Sequence, residues 1–143
     1  MVCVFFGHRD ITHCDALNEA VRQAVVQYGV DTFWVGGYGG FDSLAAGSVN
    51  RIQREYPHVR LFLIRAYMPR PGETLAKCYD GSIYPEGLET VPQRYAISHR
   101  NRWMTEHCDM AITYVMRSFG GAYQAERRVR KRGIPVINLA AGA

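Results

Sequence analysis

Gly36-Gly37-Tyr38-Gly39-Gly40-Phe41-Asp42 is the stretch on which the reading of this chain turns. An apolar run at 33–35 leads into it and a helix-like run at 43–56 leaves it. Strand, glycine turn and helix start are the parts of an anion site. Glycine gives the backbone access to positive φ and lets a ligand come close to the chain. The N-terminus of the following helix offers unpaired N–H groups and about half a positive charge. Four glycines among these seven residues exceed what a plain strand-to-helix turn needs, so the stretch is read as the floor of a nucleotide-type site. Gly36, Gly37, Tyr38, Gly39, Gly40, Phe41 and Asp42 are therefore candidate ligand residues. Asp42 also stands where a helix N-cap is wanted. Capping and accepting a ribose hydroxyl both fit it.

Upstream, residues 2–6 are continuously apolar, as in a strand covered on both faces. The run ends in Gly7-His8-Arg9-Asp10. Open α/β sheets bind ligands at the carboxyl ends of their strands, so Gly7, His8 and Arg9 join the candidates, the last two as donors to an anion. Asp15 or Thr12 can cap the next helix, whose inward stripe is Leu17, Val21, Ala24, Val25 and Tyr28, with Gly29 as its stop. His13 and Cys14 have no further ligand nearby, which argues against a metal site there.

Downstream, Pro57 closes the second helix and residues 59–64 read as a third strand. Between 66 and 91 the periodicity breaks under prolines and glycines. Such a long connection is usually functional or mobile. It is expected to hang over the site as a lid, with a short helix at 73–79 and with Tyr67, Tyr79 and Tyr84 available to stack on a base. Pro92 suits the first turn of the next helix, on which Ile97, Asn101, Met104 and Cys108 share one face. Asn101 is then a polar residue on a buried stripe and needs partners. Arg100 stands beside it.

Residues 110–115 are a fourth strand, followed by Arg117-Ser118-Phe119-Gly120-Gly121 and a helix at 122–132 whose buried stripe is Ala122, Ala125 and Val129. This repeats the first arrangement, so Gly120 and Gly121 are a second candidate anion turn. The basic run at 127–132 is read mainly as cations favoured at a helix C-terminus, with a nucleic-acid patch as the rival. Gly133 stops the helix, residues 134–139 are a fifth strand, and the Ala-Gly tail is expected to fray.

The 143 residues suit one domain. A hydrophobic content of 48% with 21% charged residues is ordinary for a soluble globular protein. No apolar run approaches the ~20 residues that span a bilayer, and the N-terminus reads as a strand rather than a signal peptide. Cys3, Cys14, Cys78 and Cys108 are scattered without CxxC spacing, which fits reduced thiols in the cytoplasm. Nothing points to a metal or a resident cofactor. Of the 17 basic residues only Lys77 and Lys131 are lysine. Arginine's planar fork suits phosphate, although codon bias would also enrich it. A net charge of +4, dispersed along the chain, does not by itself argue for nucleic acid.

Taken in order, Gly7-His8-Arg9-Asp10-Ile11-Thr12, Gly36-Gly37-x-x-Gly40-Phe41-Asp42-x-Leu44-Ala45-Ala46, Arg100-Asn101, Asp109 before a strand, and Gly120-Gly121 resemble the SLOG superfamily, the lineage of Smf/DprA and the Lonely Guy proteins, and most of all its YpsA-like branch. The resemblance implies a Rossmann-like fold and a pocket for a nucleotide or nucleotide-derived ligand. Some relatives of that kind sense nucleotide signals. Lonely Guy relatives cleave the N-glycosidic bond of nucleoside monophosphates with a GGxGTxxE motif. Here Tyr123 and Gln124 replace that motif's third glycine and its threonine, and Glu126 comes one residue early. One residue is about 100° around a helix, so Glu126 is not expected to point where that family's catalytic carboxylate points. Asp42 is the other weak catalytic candidate.

The expectation is an α/β, Rossmann-like protein: one domain over 1–143 with a lid-like insertion at 66–91. Its single five-stranded parallel sheet is ordered 3-2-1-4-5, with helices on both faces. Its function is expected to be sensing or regulatory binding of a nucleotide-type small molecule. Arg9, Arg100 and the glycine turns would hold phosphate. Asp42 and Asn101 would hold ribose, and Tyr38, Phe41 or a lid tyrosine would face the base. The rivals are a phosphoribohydrolase and a single-stranded DNA-binding module. A homo-oligomer is plausible for this kind of fold, and no membrane partner is expected.

Overall fold

Val2–Gly7 forms strand β1, and its side chains alternate between two cores. Cys3 and Phe5 pack on one face of the sheet; Val4 and Phe6 pack on the other. This two-sided burial is why the segment is apolar throughout rather than alternating. The computed structural model describes residues 1–140. The tail from 141 onward, expected to fray, lies outside the described residues.

The chain continues through helix α1 (Leu17–Val26), β2 (Thr32–Val35), α2 (Gly40–Gln53) and β3 (Arg60–Ile64). It then forms β4 (Gly81–Ile83), α3 (Ala96–His107), β5 (Met110–Tyr114), α4 (Gly121–Lys131) and β6 (Val136–Asn138). All six strands belong to one sheet of order β4-β3-β2-β1-β5-β6, and every neighbouring pair is parallel. The α/β, Rossmann-like expectation therefore holds. The expected 3-2-1-4-5 order survives as β3-β2-β1-β5-β6. The expected strand number does not, because β4 extends the sheet from within the segment assigned to a lid. The peptide N–H of Leu61 donates to the Asp80 carboxylate (2.8 Å), and Gln53 donates to the same oxygen (2.8 Å), so Asp80 fixes the entry to β4. The edge strands β4 and β6 have three residues each.

Helices α1 and α2 cover one face through Leu17, Val21, Ala45, Val49 and Ile52. Met104 of α3 and Ala125 and Val129 of α4 cover the other. Full burial of an aliphatic or Phe side chain contributes about 1.5–3 kcal/mol, so these two layers dominate the stability. Several local expectations change. Neither Asp15 nor Thr12 caps α1: Ala16 holds that position with no side-chain bond. No helix forms at 73–79. That stretch is instead held from outside, by Glu73 on Arg65 and by the Asn50 amide on the Cys78 carbonyl. Pro92 precedes a 3₁₀ turn, Gln93–Tyr95, which runs into α3. On α3 the buried side chains are Ala96, Arg100, Met104 and Thr105, so Arg100 and Thr105, rather than Asn101, are the buried polar residues of that helix.

Candidate functional site

The chain runs from β1 outward through β2 and β3, then returns to pair β5 on the opposite side of β1. Loops leaving β1 and β5 thus part in opposite directions, which opens a crevice at the strands' carboxyl ends. A cleft of about 440 Å³ lies there. Its walls are the loop after β1, the turn into α2, one face of α3 and the turn into α4.

The turn into α2 is filled by the chain itself. The cap position is Gly39, and Asp42 stands three residues inside the helix, so Asp42 is not the N-cap. Its carboxylate reaches back and accepts the Tyr38 N–H at 3.2 Å. The first helical amide, Gly40 N–H, donates to the Arg9 carbonyl at 2.8 Å. A Cβ on Gly40 would stand 1.9 Å from the Ile11 carbonyl oxygen, so glycine is required for the β1 loop to close on this helix end. Phe41 lies in the core, edge-on to Phe5 at 6.3 Å, and does not face the cleft. Gly37 faces a neighbouring cleft instead. Gly36 and Tyr38 line the cleft, and Tyr38 is 43% exposed.

The turn into α4 is open. Gly120 is the cap residue, at φ 95°, and nothing lies within 4 Å of where its Cβ would be. Only glycine adopts that φ without strain. The amides of Gly121, Ala122 and Tyr123 have no acceptor among the described residues. Gly120, Gly121 and Ala122 face the cleft. A Cβ on Gly121 would lie 3.6 Å from Nδ2 of Asn101, which sets the α3 amide beside the α4 N-terminus.

Arg100 is 4% exposed and spans the site. Nη1 donates to the carbonyls of Gly36 (2.9 Å) and Ile64 (3.3 Å), and Nε donates to Oδ1 of Asn101 (3.1 Å). The guanidinium carbon lies 5.5 Å from the centre of the Tyr38 ring. Nη2 has no protein acceptor among the described residues. Burial pulls this guanidinium's pKa down, and Asp42 opposes that. Burial also pushes the Asp42 carboxyl up to about 6, against the Tyr38 N–H, Arg100, the Gly37 N–H and Arg9. Arg9 is exposed at the rim and its guanidinium has no partner among the described residues.

His8 lines the cleft at 6% exposure. Its Nε2 accepts the Met116 N–H at 3.0 Å, so that nitrogen is not a donor and the ring ties the β5–α4 loop to β1. Burial, then Arg117, lowers its pKa below 6.5. Gly7 also lines the cleft. Among the cleft residues that escaped the sequence reading are Asp10 and Arg117, bridged at 2.7 Å across the mouth, and Phe119, 68% exposed. The signal for Arg117 and Phe119 was their place immediately before the second glycine pair. None of Tyr67, Tyr79 and Tyr84 lines this cleft.

Glu126 lies away from it. The Thr113 hydroxyl donates to Oε2, and Arg130 pairs with Oε1 at 3.0 Å. The basic run is partly committed to the fold as well. Arg132 donates to the Thr105 (2.8 Å) and Cys108 (2.7 Å) carbonyls at the end of α3, and Arg127 lies over Tyr123. Among the described residues no group of three or more His, Cys, Asp or Glu stands together to hold a metal ion. Among them, too, no helix is long and apolar enough to cross a membrane.

Fold and cleft define a Rossmann-like α/β protein with a ligand-sized crevice at its switch point. No protein-family model matches the chain, and no curated protein matches it.

Proposed function

We propose that this protein binds a nucleotide or nucleotide-derived small molecule at the 440 Å³ cleft, as a sensor or regulatory binder. The observation that carries the reading is the convergence of the open α4 amides, Asn101 and the buried Arg100 on one crevice. A helix N-terminus with unpaired amides favours an anion, and a guanidinium adds charge-assisted bonds. Phosphate is assigned to the α4 turn, with Arg9 closing on it from the rim. The α2 turn is not assigned phosphate, because Asp42 already puts a carboxylate there. Asp42 and Asn101 remain available to ribose hydroxyls. Tyr38 and Phe119, exposed on the cleft's walls, are suited to flank a base. The ordered motifs of the SLOG superfamily, YpsA-like branch, support the same reading.

A thermal-shift series with nucleoside monophosphates tests it, since a ligand of the native state raises the melting point once it exceeds its Kd. A shift with intact ligand, abolished in Arg9→Ala without change in the melting point of the free protein, is the expected result. No shift from any monophosphate overturns the reading. The Asp42 carboxyl, poised at about 6, favours one second reading, a nucleoside-monophosphate glycosidase, since such a group can give or take a proton near neutral pH. That reading predicts free base in the mixtures, lost in Asp42→Asn. Intact ligand throughout excludes it.

A further inference from the structure

The β5–α4 loop is fastened on two sides before it reaches its helix. On the β6 side, Oδ1 of Asn138 accepts the Val115 N–H at 3.1 Å and Nδ2 donates to the Val115 carbonyl at 2.9 Å. On the β1 side, two bonds cross the cleft's mouth. The Met116 N–H donates to Nε2 of His8 at 3.0 Å, and Arg117 donates to Asp10 at 2.7 Å. Only Ser118 and Phe119 then separate Arg117 from Gly120, the cap of α4. The two ties on the β1 side differ in strength. The Asp10–Arg117 bridge is exposed, and such bridges contribute little. His8 is 6% exposed, and a hydrogen bond in a buried place is costly to leave unmade. His8 is thus the firm link between the β1 loop and the turn whose amides stand open.

The same bond fixes the state of the ring. Nε2 accepts, so the neutral imidazole carries its hydrogen on Nδ1. A second proton must go to Nε2, where it meets the Met116 N–H donor to donor, and the tie is lost. Burial, then Arg117, opposes that proton, and Asp10 favours it. The other groups around the ring are Tyr114, edge-on at 6.5 Å, and, elsewhere on the cleft wall, Arg9, Arg100 and Asp42. Asp42 titrates at about 6 and acts in the opposite sense, since losing its charge favours an anion.

We infer that His8 is a positioning residue: as the neutral imidazole it holds the β5–α4 loop so that the α4 amides meet an anion, and as the imidazolium it lets the loop go, so that the anion is held less tightly. This rests on the assignment of phosphate to the α4 turn. The sign is the reverse of what charge alone would give. A cationic ring beside an anion site should strengthen binding, but here the added hydrogen points at the loop rather than at the ligand. Because the anion-holding form excludes that proton, affinity is full above the pKa of His8 and falls as the pH drops through it.

Isothermal titration of adenosine 5′-sulfate, whose charge is constant over the range, tests this on wild type and His8→Gln from about pH 8 to about pH 5. The Gln amide oxygen can accept the Met116 N–H at either end, and both proteins keep Asp42, so the ratio of their affinities isolates the ring. Equal melting points of the two free proteins at the upper pH check that the substitution is tolerated. Wild type should lose about tenfold in affinity relative to His8→Gln over that range. In ligand-free wild type, the Met116 amide resonance should shift with the titration of the His8 ring. A ratio that stays constant, or that moves in favour of wild type as the pH falls, overturns the inference and leaves the anion at the α4 turn. A Met116 amide indifferent to the ring's titration overturns it as well. Binding of the probe by neither protein at any pH overturns the phosphate assignment and the inference with it.

Discussion

The turn at 36–40 and the turn at 117–121 both join a strand's carboxyl end to a helix through glycines, yet the helix start after the first is engaged by the chain and the amides of the helix start after the second are not. At α2 the Arg9 carbonyl takes the first amide and the Asp42 carboxylate takes the Tyr38 N–H. At α4 the first three amides have no acceptor among the described residues. The lesson is that a glycine-rich turn marks either a place where a ligand approaches or a place where another part of the chain does. Gly40 belongs to the second kind, because the backbone at Ile11 stands where its side chain would be.

The comparison breaks most readily at Gly40. Gly40→Ala should lose about 3 kcal/mol in denaturant melts, since backbone rather than a flexible side chain opposes the new methyl. A midpoint near wild type would mean that the β1 loop does not pack on α2. Next is Asp42. Its folded pKa of about 6 exceeds the ordinary 3.8, so the folded state binds the proton more tightly than the unfolded. Its contribution is therefore full below pH 3.8 and lost as pH rises through about 6. Asp42→Asn should remove a decline on the order of 3 kcal/mol over that window. His8 pulls the other way, its depressed pKa costing stability as pH falls below 6.5, so the difference between wild type and Asn variant is the quantity to follow. An unchanged difference across the window would take Asp42 out of the turn.

Gly121→Asp sharpens the contrast at α4. An acid in the first turn favours the helix by about 0.3–1 kcal/mol, so the free protein should melt no lower than wild type. The same charge repels an anion, so affinity for a phosphate ligand should fall about tenfold. Full affinity in this variant would move the phosphate elsewhere. Asp10→Asn is the smallest case. The Asp10–Arg117 bridge is exposed, and such bridges contribute little, so the melting point should barely move. A large drop would show that the bridge holds the cleft's mouth in shape.

Much of this architecture was legible because buried parallel strands are written as largely apolar runs, and β1, β2, β3 and β5 are such runs, with only Thr32, Arg60 and Thr113 as clear exceptions. β4 was not, because Gly-Ser-Ile carries no such mark and becomes a strand only beside β3. The phase of α3 was misread by one residue in its first half. A stripe anchored on Ile97 put Asn101 inside, whereas the first half of the helix buries Ala96 and Arg100; Met104 and Cys108, read as inward, are buried. An arginine seldom fits a buried stripe unless its donors are met, and here the acceptors come from two strand ends distant in sequence. That information is tertiary. The filling of the α2 turn was closer to hand: an acid at the third helical position can reach back to the loop amides, which is a local relation. The candidate residues on the β1 loop, the α4 turn and α3 do meet at one crevice, while Phe41, Gly37 and Glu126 face elsewhere.

The two outermost strands have a bearing on how copies of this chain can meet. β4 and β6 offer three residues apiece along their free sides. So short a row of donors and acceptors is a poor template for another chain to add a strand. A second copy of this chain would therefore find little to pair with along either sheet edge, and a helical flank is the larger continuous surface left to meet.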